Sequence, residues 1–326
     1  MMNTTTQYLG LTLKNPIIVG SSRITGDYEK IMECIECGAG AVVLKSLFEE
    51  QIISDIEEKL ADNHMYFWYP EAMETVKSIS KDHGKNEYIR LLTKVKANSP
   101  VPVIASINCM TTHEWPVFAS ELEKAGADAI ELNISVFPFD ETITSLDIED
   151  TYINVINEVK KHVTIPVCAK IGSFFTNVNG IVSRLDAAGV DGIVLFNRFF
   201  MPDININDGT IIYNNYLSDP SEMTQSLRWI GLLSPKVKCD LIASTGIHDF
   251  EAVVKQIMAG AAAVQISSVL YKKGIPYLKT MLSEMEEWMK KNHKPSLDTF
   301  RGKILAGKAQ NAAFERVQFM KRTTGI

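Results

Sequence analysis

Short apolar runs alternate along this chain with segments in which apolar residues recur at helical spacing. Eight such runs lie near residues 15–22, 41–46, 101–107, 128–135, 165–171, 192–198, 240–246 and 263–268. Continuous apolar runs are typical of strands buried on both faces, and intervening segments such as 249–259 carry the pattern of an amphipathic helix. The chain is therefore predicted to form eight parallel strands separated by helices.

Four of the predicted strands follow a small-residue segment that contains glycine: ECGAG, KAGAD, AAGVD and MAGAA. Glycine there is typical of a helix that ends in the left-handed conformation. Eight β–α units in 326 residues predict a single-domain α/β fold, a (β/α)8 TIM barrel over residues 1–326. An open doubly wound sheet is the alternative, but VGSSRITG after the first strand lacks the G-x-G-x-x-G pattern common there.

Two connections are too long to be simple loops between a strand and a helix. They span about 47–100 and 199–226, and the second contains a hairpin signal at Asn207-Asp208-Gly209. Both follow the carboxyl ends of strands, so we expect both to lie over the mouth of the barrel as walls or lids of a site. Surface decoration is the alternative.

Composition and charge narrow the classes of partner. The net charge of −6 argues against a nucleic-acid surface, and no apolar run has the length of a membrane span. The amino terminus lacks the pattern of a secretory signal, so the expected location is the cytoplasm. Cys34 and Cys37 form a C-x-x-C on a helical pattern, which favours helix packing over a metal or redox site, and we expect no metal.

Polar residues follow nearly every predicted strand, at the end where (β/α)8 barrels carry their chemistry. They are Ser21, Ser22, Lys45, Ser46, Ser106, Asn108, Asn133, Ser135, Lys170, Asn197, Ser244, Thr245, Gly246, Ser267 and Ser268. A lone serine or asparagine there is more often a helix cap than a ligand. A ring of such residues around one mouth indicates a binding site, because buried donors without partners are costly.

Lys45 and Lys170 are the sharper signals, because each ends an apolar run and buried lysine is rare unless it is paired. Glu131 is the main carboxylate near a strand end, and the residues around it do not fix which way it points. The two amines suggest an anionic ligand, with snorkelling to solvent or pairing with a loop acid as the alternative. A Schiff-base lyase or aldolase acting on a sugar phosphate through either lysine is a second functional hypothesis.

The last two strands end in residues suited to a phosphate group. Gly246 lets backbone N–H groups approach an oxyanion, and Asp249 opens a helix whose amino terminus favours an anion nearby. Ser267 and Ser268 would add hydroxyl and backbone donors. Loops after the seventh and eighth strands commonly bind phosphate in barrel enzymes, so these residues predict a phosphorylated ligand without naming it.

Several segments together resemble the dihydroorotate dehydrogenase family, in particular its soluble class 1 branch. They are LKNPIIVGSS, GAGAVVLKS, GADAIELNIS, IPVCAKIGSFFTN, AGVDGIVLFNR and AGAAAVQISSVLYKKG, and the resemblance spans about residues 8–290. It implies a (β/α)8 barrel that holds FMN at its mouth and acts on a small-molecule substrate. Class 1 relatives are commonly homodimers, so the resemblance implies a homodimer as well.

The resemblance also implies roles for individual residues. The cofactor-binding residues would be Ser21, Ser22, Lys45, Ser46, Asn133, Lys170, Gly246, Ser267 and Ser268. Among them Lys170 would stabilise the negative charge that appears on the flavin when it is reduced. Lys45 and Asn133 would lie between flavin and substrate and take part in catalysis.

The part of the pattern that handles dihydroorotate is altered. The family has a cysteine or serine base that removes the C5 proton while a hydride passes from C6 to flavin N5. Here that position is Val136, which cannot accept a proton. The next residues are Phe137-Pro138 where the family has Pro-Asn, and Arg198 stands where the family usually has serine or threonine. The substrate is therefore expected to differ from dihydroorotate or to react through another base.

Three functions stay open on the sequence. The leading hypothesis is an FMN-dependent oxidoreductase that acts on a carbon–carbon bond next to a carbonyl, with Asn197, Arg198 and His64 facing the substrate. The Schiff-base lyase is one alternative, and a flavin-binding protein without turnover, suggested by the missing base, is the other. His64, Tyr66 and Cys109 are the candidates for a replacement base from another loop.

Overall fold

Eight parallel strands close into a barrel in the computed structural model, which describes residues 2–48, 70–108, 114–136, 140–199, 201–212, 216–306 and 314. The strands are β1 (Ile17–Val19), β2 (Ala41–Val43), β3 (Val103–Asn108), β4 (Ala129–Asn133), β5 (Val167–Ile171), β6 (Gly192–Leu195), β7 (Asp240–Ser244) and β8 (Ala263–Ile266). Each strand pairs in parallel with the next, and β8 pairs with β1 to close the ring. The predicted strands and the (β/α)8 fold are confirmed.

Helices on the outside of the barrel connect successive strands. They are α1 (Tyr28–Glu36), α2 (Pro70–Asn98), α3 (Glu114–Lys124), α4 (Ser145–His162), α5 (Val178–Ala187), α6 (Met223–Leu233), α7 (Phe250–Ala259), α8 (Ser268–Lys273) and α9 (Tyr277–Lys291). Asp249 caps α7 as predicted, since its carboxylate accepts a hydrogen bond from the backbone N–H of Ala252 at 2.8 Å. None of the helices in the described ranges has both the length and the apolar character needed to cross a membrane.

The glycines predicted to end four helices are all left-handed, with φ values of 107° at Gly38, 95° at Gly126, 82° at Gly189 and 111° at Gly260. A side chain would be strained in that conformation, which is why glycine recurs before these strands. Each helix therefore stops at a defined residue, and the chain turns directly into the following strand.

The alternation of side chains along the strands separates two apolar cores. Outward residues such as Ile130 and Leu132 pack beneath the helices. Inward residues such as Ile104 pack against a hairpin formed by Thr6–Tyr8 and Leu11–Leu13. This hairpin lies at the amino-terminal ends of the strands, because the backbone N–H of Leu9 donates to the carboxylate of Asp240, the first residue of β7, at 2.8 Å. The bottom of the barrel is thus filled with apolar side chains, and the polar residues lie above it.

The two long connections have different structures. Much of the first is α2, which packs outside β3 between α1 and α3, so this part is a barrel helix rather than a wall of the mouth. Residues 49–69 lie outside the described residues. The second connection contains the predicted hairpin, with Asp203–Ile204 paired to Ile211–Ile212, and a 3₁₀ turn at Pro220–Glu222 that leads into α6.

Cys34 lies on α1 and is fully buried in the outer core, and Cys37 follows the helix and is also buried. Burial, aided by the neighbouring thiol of Cys37, raises the pKa of the Cys34 thiol to about 12. Both cysteines are free. The pair therefore packs as small apolar side chains, in line with the helical pattern around it.

Candidate active site

A cavity of about 690 Å³ opens at the carboxyl-terminal mouth of the barrel. Its walls come from the ends of β1, β5, β6, β7 and β8 and from the end of the second long connection. Eight of the residues with an implied cofactor or substrate role line it: Ser21, Ser22, Lys170, Asn197, Arg198, Gly246, Ser267 and Ser268. Residues spread over most of the sequence therefore meet at one opening, as expected for a barrel whose site lies at the strand ends.

Lys170 reaches this cavity from inside the barrel and is 8% exposed. Its ammonium group donates to Oε1 of Gln265 at 3.2 Å and lies 3.9 Å from Oε1 of Glu131. Gln265 in turn donates through Nε2 to Oε2 of Glu131 at 2.5 Å. The Glu131 side chain is fully buried, so the alternation of β4 directs it inward with Asn133. Lys170 thus carries a protein counter-ion and still presents its amine to the cavity.

A chain of hydroxyl groups joins the same carboxylate to β1 and β3. The hydroxyl of Ser21 lies 3.1 Å from that of Ser46, which lies 2.7 Å from the hydroxyl of Ser106. Ser106 donates to Oε1 of Glu131 at 3.5 Å, which is a long contact. Tyr88 on α2 holds Ser106 in place, because its hydroxyl donates to the backbone carbonyl of Ser106 at 3.0 Å and accepts from its N–H at 2.8 Å. Ser46 therefore supports the cavity from behind Ser21.

Ser22 differs from its neighbour Ser21. Its hydroxyl oxygen is buried and has no hydrogen-bond partner, although the residue lines the cavity. A buried hydroxyl without a partner costs about 1–3 kcal/mol, and such groups in folded proteins usually find one. The Ser22 hydroxyl is therefore suited to a ligand atom in this cavity.

Two polar contacts lie at the ends of β4 and β6. The side-chain amide of Asn197 donates to Oδ1 of Asn133 at 2.7 Å, so these two predicted residues meet. Arg198 is held by Glu222, with 2.8 Å between Nε and Oε2. Because Glu222 lies on the second long connection, that connection is tied to the end of β6 at the rim of the cavity.

The loop after β7 approaches the second long connection closely. Gly246 has a φ of 75°, and a Cβ there would lie 2.2 Å from the backbone nitrogen of Met223. No other residue fits this position, because both its conformation and its space exclude a side chain. The N–H of Gly246 donates to the hydroxyl of Ser218 at 3.3 Å, and the N–H of Ser218 donates to the hydroxyl of Ser268 at 2.9 Å. Ser218 therefore links the two loops predicted to bind phosphate.

His248 and Lys272 support Ser218. Nε2 of His248 lies 3.1 Å from the Ser218 hydroxyl, and the ammonium group of Lys272 donates to the Ser218 carbonyl at 2.8 Å. Burial, together with the positive charge of Lys272, lowers the pKa of His248 below its ordinary value, and the carboxylate of Asp219 only partly opposes this. His248 is therefore biased towards its neutral form at neutral pH.

Comparison with known sequences supplies the family. The sequence profile described as Dihydroorotate dehydrogenase matches residues 3–289. The chain belongs to the dihydroorotate dehydrogenase family. Membership supports an oxidoreductase of the dihydroorotate dehydrogenase type, and members of this family are flavoproteins.

Individual relatives cover nearly the whole chain. The catalytic subunit of dihydroorotate dehydrogenase B (NAD(+)) from Thermoplasma volcanium is 29% identical over 294 residues, which cover 88% of this chain and 92% of the relative. The protein of the same name from Thermoplasma acidophilum is 28% identical over 298 residues, covering 89% and 94%. A putative dihydroorotate dehydrogenase A (fumarate) from Aeropyrum pernix is 26% identical over 285 residues, covering 86% and 90%.

Among the described residues given roles by family resemblance, Lys45, Ser46, Asn133 and Val136 do not line the main cavity. Val136, at the family's base position, lines a separate cavity of about 360 Å³ whose walls include Phe174 and Phe199. Lys45 is half-buried, and its methylene groups run beside Gly26, where a Cβ would lie 3.1 Å from Cδ of the lysine. His64 lies outside the described residues, as do Tyr66 and Cys109.

Three other residues of the site were not predicted from the sequence motifs. Gln265 had a usable signal, because an amide in the middle of the buried strand β8 needs a partner inside the barrel. Ser218 and His248 had none, since an isolated serine and an isolated histidine in loops are compatible with many roles. Their pairing depends on how the second long connection folds back onto β7.

The lowered pKa of His248 predicts how stability depends on pH. The unfolded chain takes up a proton at this histidine near the ordinary value of 6.5, whereas the folded chain resists it, so stability declines as the pH falls below that value. His248→Gln keeps a side chain able to bond Ser218 but does not titrate. We expect the Tm of the wild type to fall more than that of the variant between pH 7.5 and 5.5. Parallel curves for the two proteins would show that His248 does not contribute.

Proposed function

We propose that this protein is an FMN-dependent oxidoreductase that transfers a hydride between a carbon–carbon bond next to a carbonyl and flavin N5. The observation that carries the proposal is a single mouth cavity lined both by the Lys170 amine and by Gly246, Ser267 and Ser268. Family membership supplies the reaction class, since the relatives are named as dihydroorotate dehydrogenases.

The residues present fit such a cofactor. The cavity volume of about 690 Å³ lies within the usual range for cofactor sites of about 300–1,000 Å³. The buried hydroxyl of Ser22 lacks a partner within the protein, and Gly246 lines the cavity with backbone atoms alone. Ser267 and Ser268 would hold the phosphate, and Ser21 and Ser22 would lie beside the flavin ring. The bound flavin would supply the hydride-accepting atom, which no side chain offers.

The remaining proposed roles concern the flavin ring and the substrate. Lys170 would stabilise the negative charge on the reduced flavin, because a positive charge in a site shielded from water acts strongly on developing charge. The hydrogen-bonded pair Asn133 and Asn197 would orient the substrate. Arg198, which lines the cavity, would attract an anionic substrate group towards the rim. Lys45 lies outside the lining of this cavity and would have to turn towards it to act between flavin and substrate.

The altered base position favours a substrate other than dihydroorotate, or a reaction through another base. Val136 replaces the family's base and cannot accept a proton, and its side chain lines a cavity walled by aromatic rings. Removal of a base typically costs a factor of about 10²–10⁴ in rate. A related compound whose proton is more acidic, or the reduction of an unsaturated carbonyl compound with the proton taken from solvent, would not need an acid–base side chain at that position.

The test of the cofactor is direct. Protein purified from a host with ample flavin is expected to be yellow, and mass spectrometry of the released molecule should identify one FMN per chain. Colourless protein that also fails to bind added FMN would overturn the proposal. Binding of a different flavin would correct the cofactor and leave the reaction class in place.

Ser22→Ala and Ser21→Ala form a matched pair. Ser22→Ala removes a hydroxyl that has no partner in the protein, so the flavin-free protein should keep or gain stability while its affinity for FMN falls about five- to tenfold. Ser21→Ala breaks bonds to Ser46 and should lower the unfolding free energy by about 1 kcal/mol. Thermal unfolding and flavin titration measure both effects. Unchanged FMN affinity in Ser22→Ala would remove Ser22 from the site.

Stopped-flow spectroscopy tests the substrate. Dihydroorotate is expected to reduce the bound flavin slowly or not at all, while dithionite reduces it completely and serves as the control. The reduced flavin should be reoxidised by members of a panel of α,β-unsaturated carbonyl compounds, which accept the hydride at the β-carbon and a proton from solvent at the α-carbon. Rapid reduction by dihydroorotate would contradict our expectation and would show that another group acts as the base.

A further inference from the structure

We propose that Glu131 is a positioning residue that lowers the reduction potential of the bound flavin by holding Lys170 and partly neutralising its charge. The inference rests on the proposed function, because it concerns the flavin site. It assigns a role to Glu131, for which the sequence motifs predicted none.

Glu131 is unusual in its surroundings. Among the described residues it is the one carboxylate that is fully buried, and it lies inside the barrel on β4. A buried carboxylate is retained only when charges and donors around it compensate for the lost hydration. Lys170 supplies the charge at 3.9 Å, and Gln265 and Ser106 supply donors.

The arrangement fixes Lys170 from one side. Gln265 bridges the two charged groups, since its carbonyl oxygen accepts from the lysine at 3.2 Å and its amide donates to the carboxylate at 2.5 Å. Register supports this geometry, because Glu131 pairs with Cys168 and Asn133 with Lys170 across β4 and β5. The lysine amine is therefore held between the carboxylate and the cavity, with limited freedom to move towards a ligand.

The electrostatic consequence follows from the sign of the charges. Reduction of a flavin adds negative charge, which the ammonium group of Lys170 favours and the carboxylate of Glu131 opposes. The apolar side chains that fill the bottom of the barrel, here called the plug, leave little solvent beneath these residues to screen either charge. Glu131 thus weakens the stabilisation of reduced flavin by Lys170. The midpoint potential of the flavin is therefore lower than it would be with Lys170 alone.

The test compares variants by redox titration. Glu131→Gln keeps the shape of the side chain and removes its charge, and Glu131→Leu answers the same question if the amide variant does not fold. At a fixed ambient potential we expect the ratio of reduced to oxidised flavin to rise about tenfold, which for a two-electron couple is about 30 mV. Glu131→Asp, which keeps the charge, should stay near the wild type.

Asp240→Asn is the matched control. Asp240 is a partly buried carboxylate at the amino-terminal end of β7, beside Leu9 in the plug, so removing its charge should leave the flavin potential nearly unchanged. Equal shifts in the Asp240 and Glu131 variants would contradict a local effect through Lys170.

The outcomes separate this inference from the proposed function. If the wild type binds no flavin, the proposed function fails and the inference fails with it. If the charge-free variants bind FMN but keep the wild-type potential and lose only thermal stability, Glu131 is structural, the inference is wrong and the proposed function stands. A raised potential with flavin still bound supports both.

Discussion

A fully buried carboxylate inside a barrel sets the strongest constraint on this molecule. Glu131 must be compensated within the protein, because an unpaired charge in such a place costs several kcal/mol. Its partners come from three other strands: Ser106 on β3, Lys170 on β5 and Gln265 on β8. Since parallel strands bring their carboxyl ends to one rim, a closed barrel can satisfy this group from several directions at once.

Glu131 and Lys170 form a charged layer across the inside of the barrel. This layer separates an apolar lower part from a polar upper part. Below it, the hairpin of Thr6–Tyr8 and Leu11–Leu13 fills the interior with apolar side chains and excludes water. Above it, the cavity is lined by hydroxyls, amides and backbone groups. The charged layer forms a floor between the apolar lower part of the barrel and the cavity. A barrel of this kind can vary its loops for new substrates while the floor keeps its electrostatic character.

Repeated and local patterns were sufficient to predict the strands and several helix ends, because each depends on short stretches of sequence. Left-handed glycines and apolar runs report the backbone directly. Lys170 was also predictable, as a charged group at the end of a buried run. The direction of Glu131 was not, since it depends on alternation within a strand whose first residue cannot be read from the pattern. The contact of Ser218 with His248 joins a long connection to another loop, and no local signal marks it.

The bridge made by Ser218 has a consequence for how an anion would be received. At present its hydroxyl accepts the N–H of Gly246 across 3.3 Å, a weak bond compared with the usual 2.9–3.0 Å. The N–H of Gly246 can therefore readily exchange this acceptor for a stronger one. A phosphate oxygen that bound there would replace a weak hydrogen bond within the protein. Until then, Ser218 holds the loops after β7 and β8 in place. The backbone of these loops would therefore need little rearrangement when an anion binds.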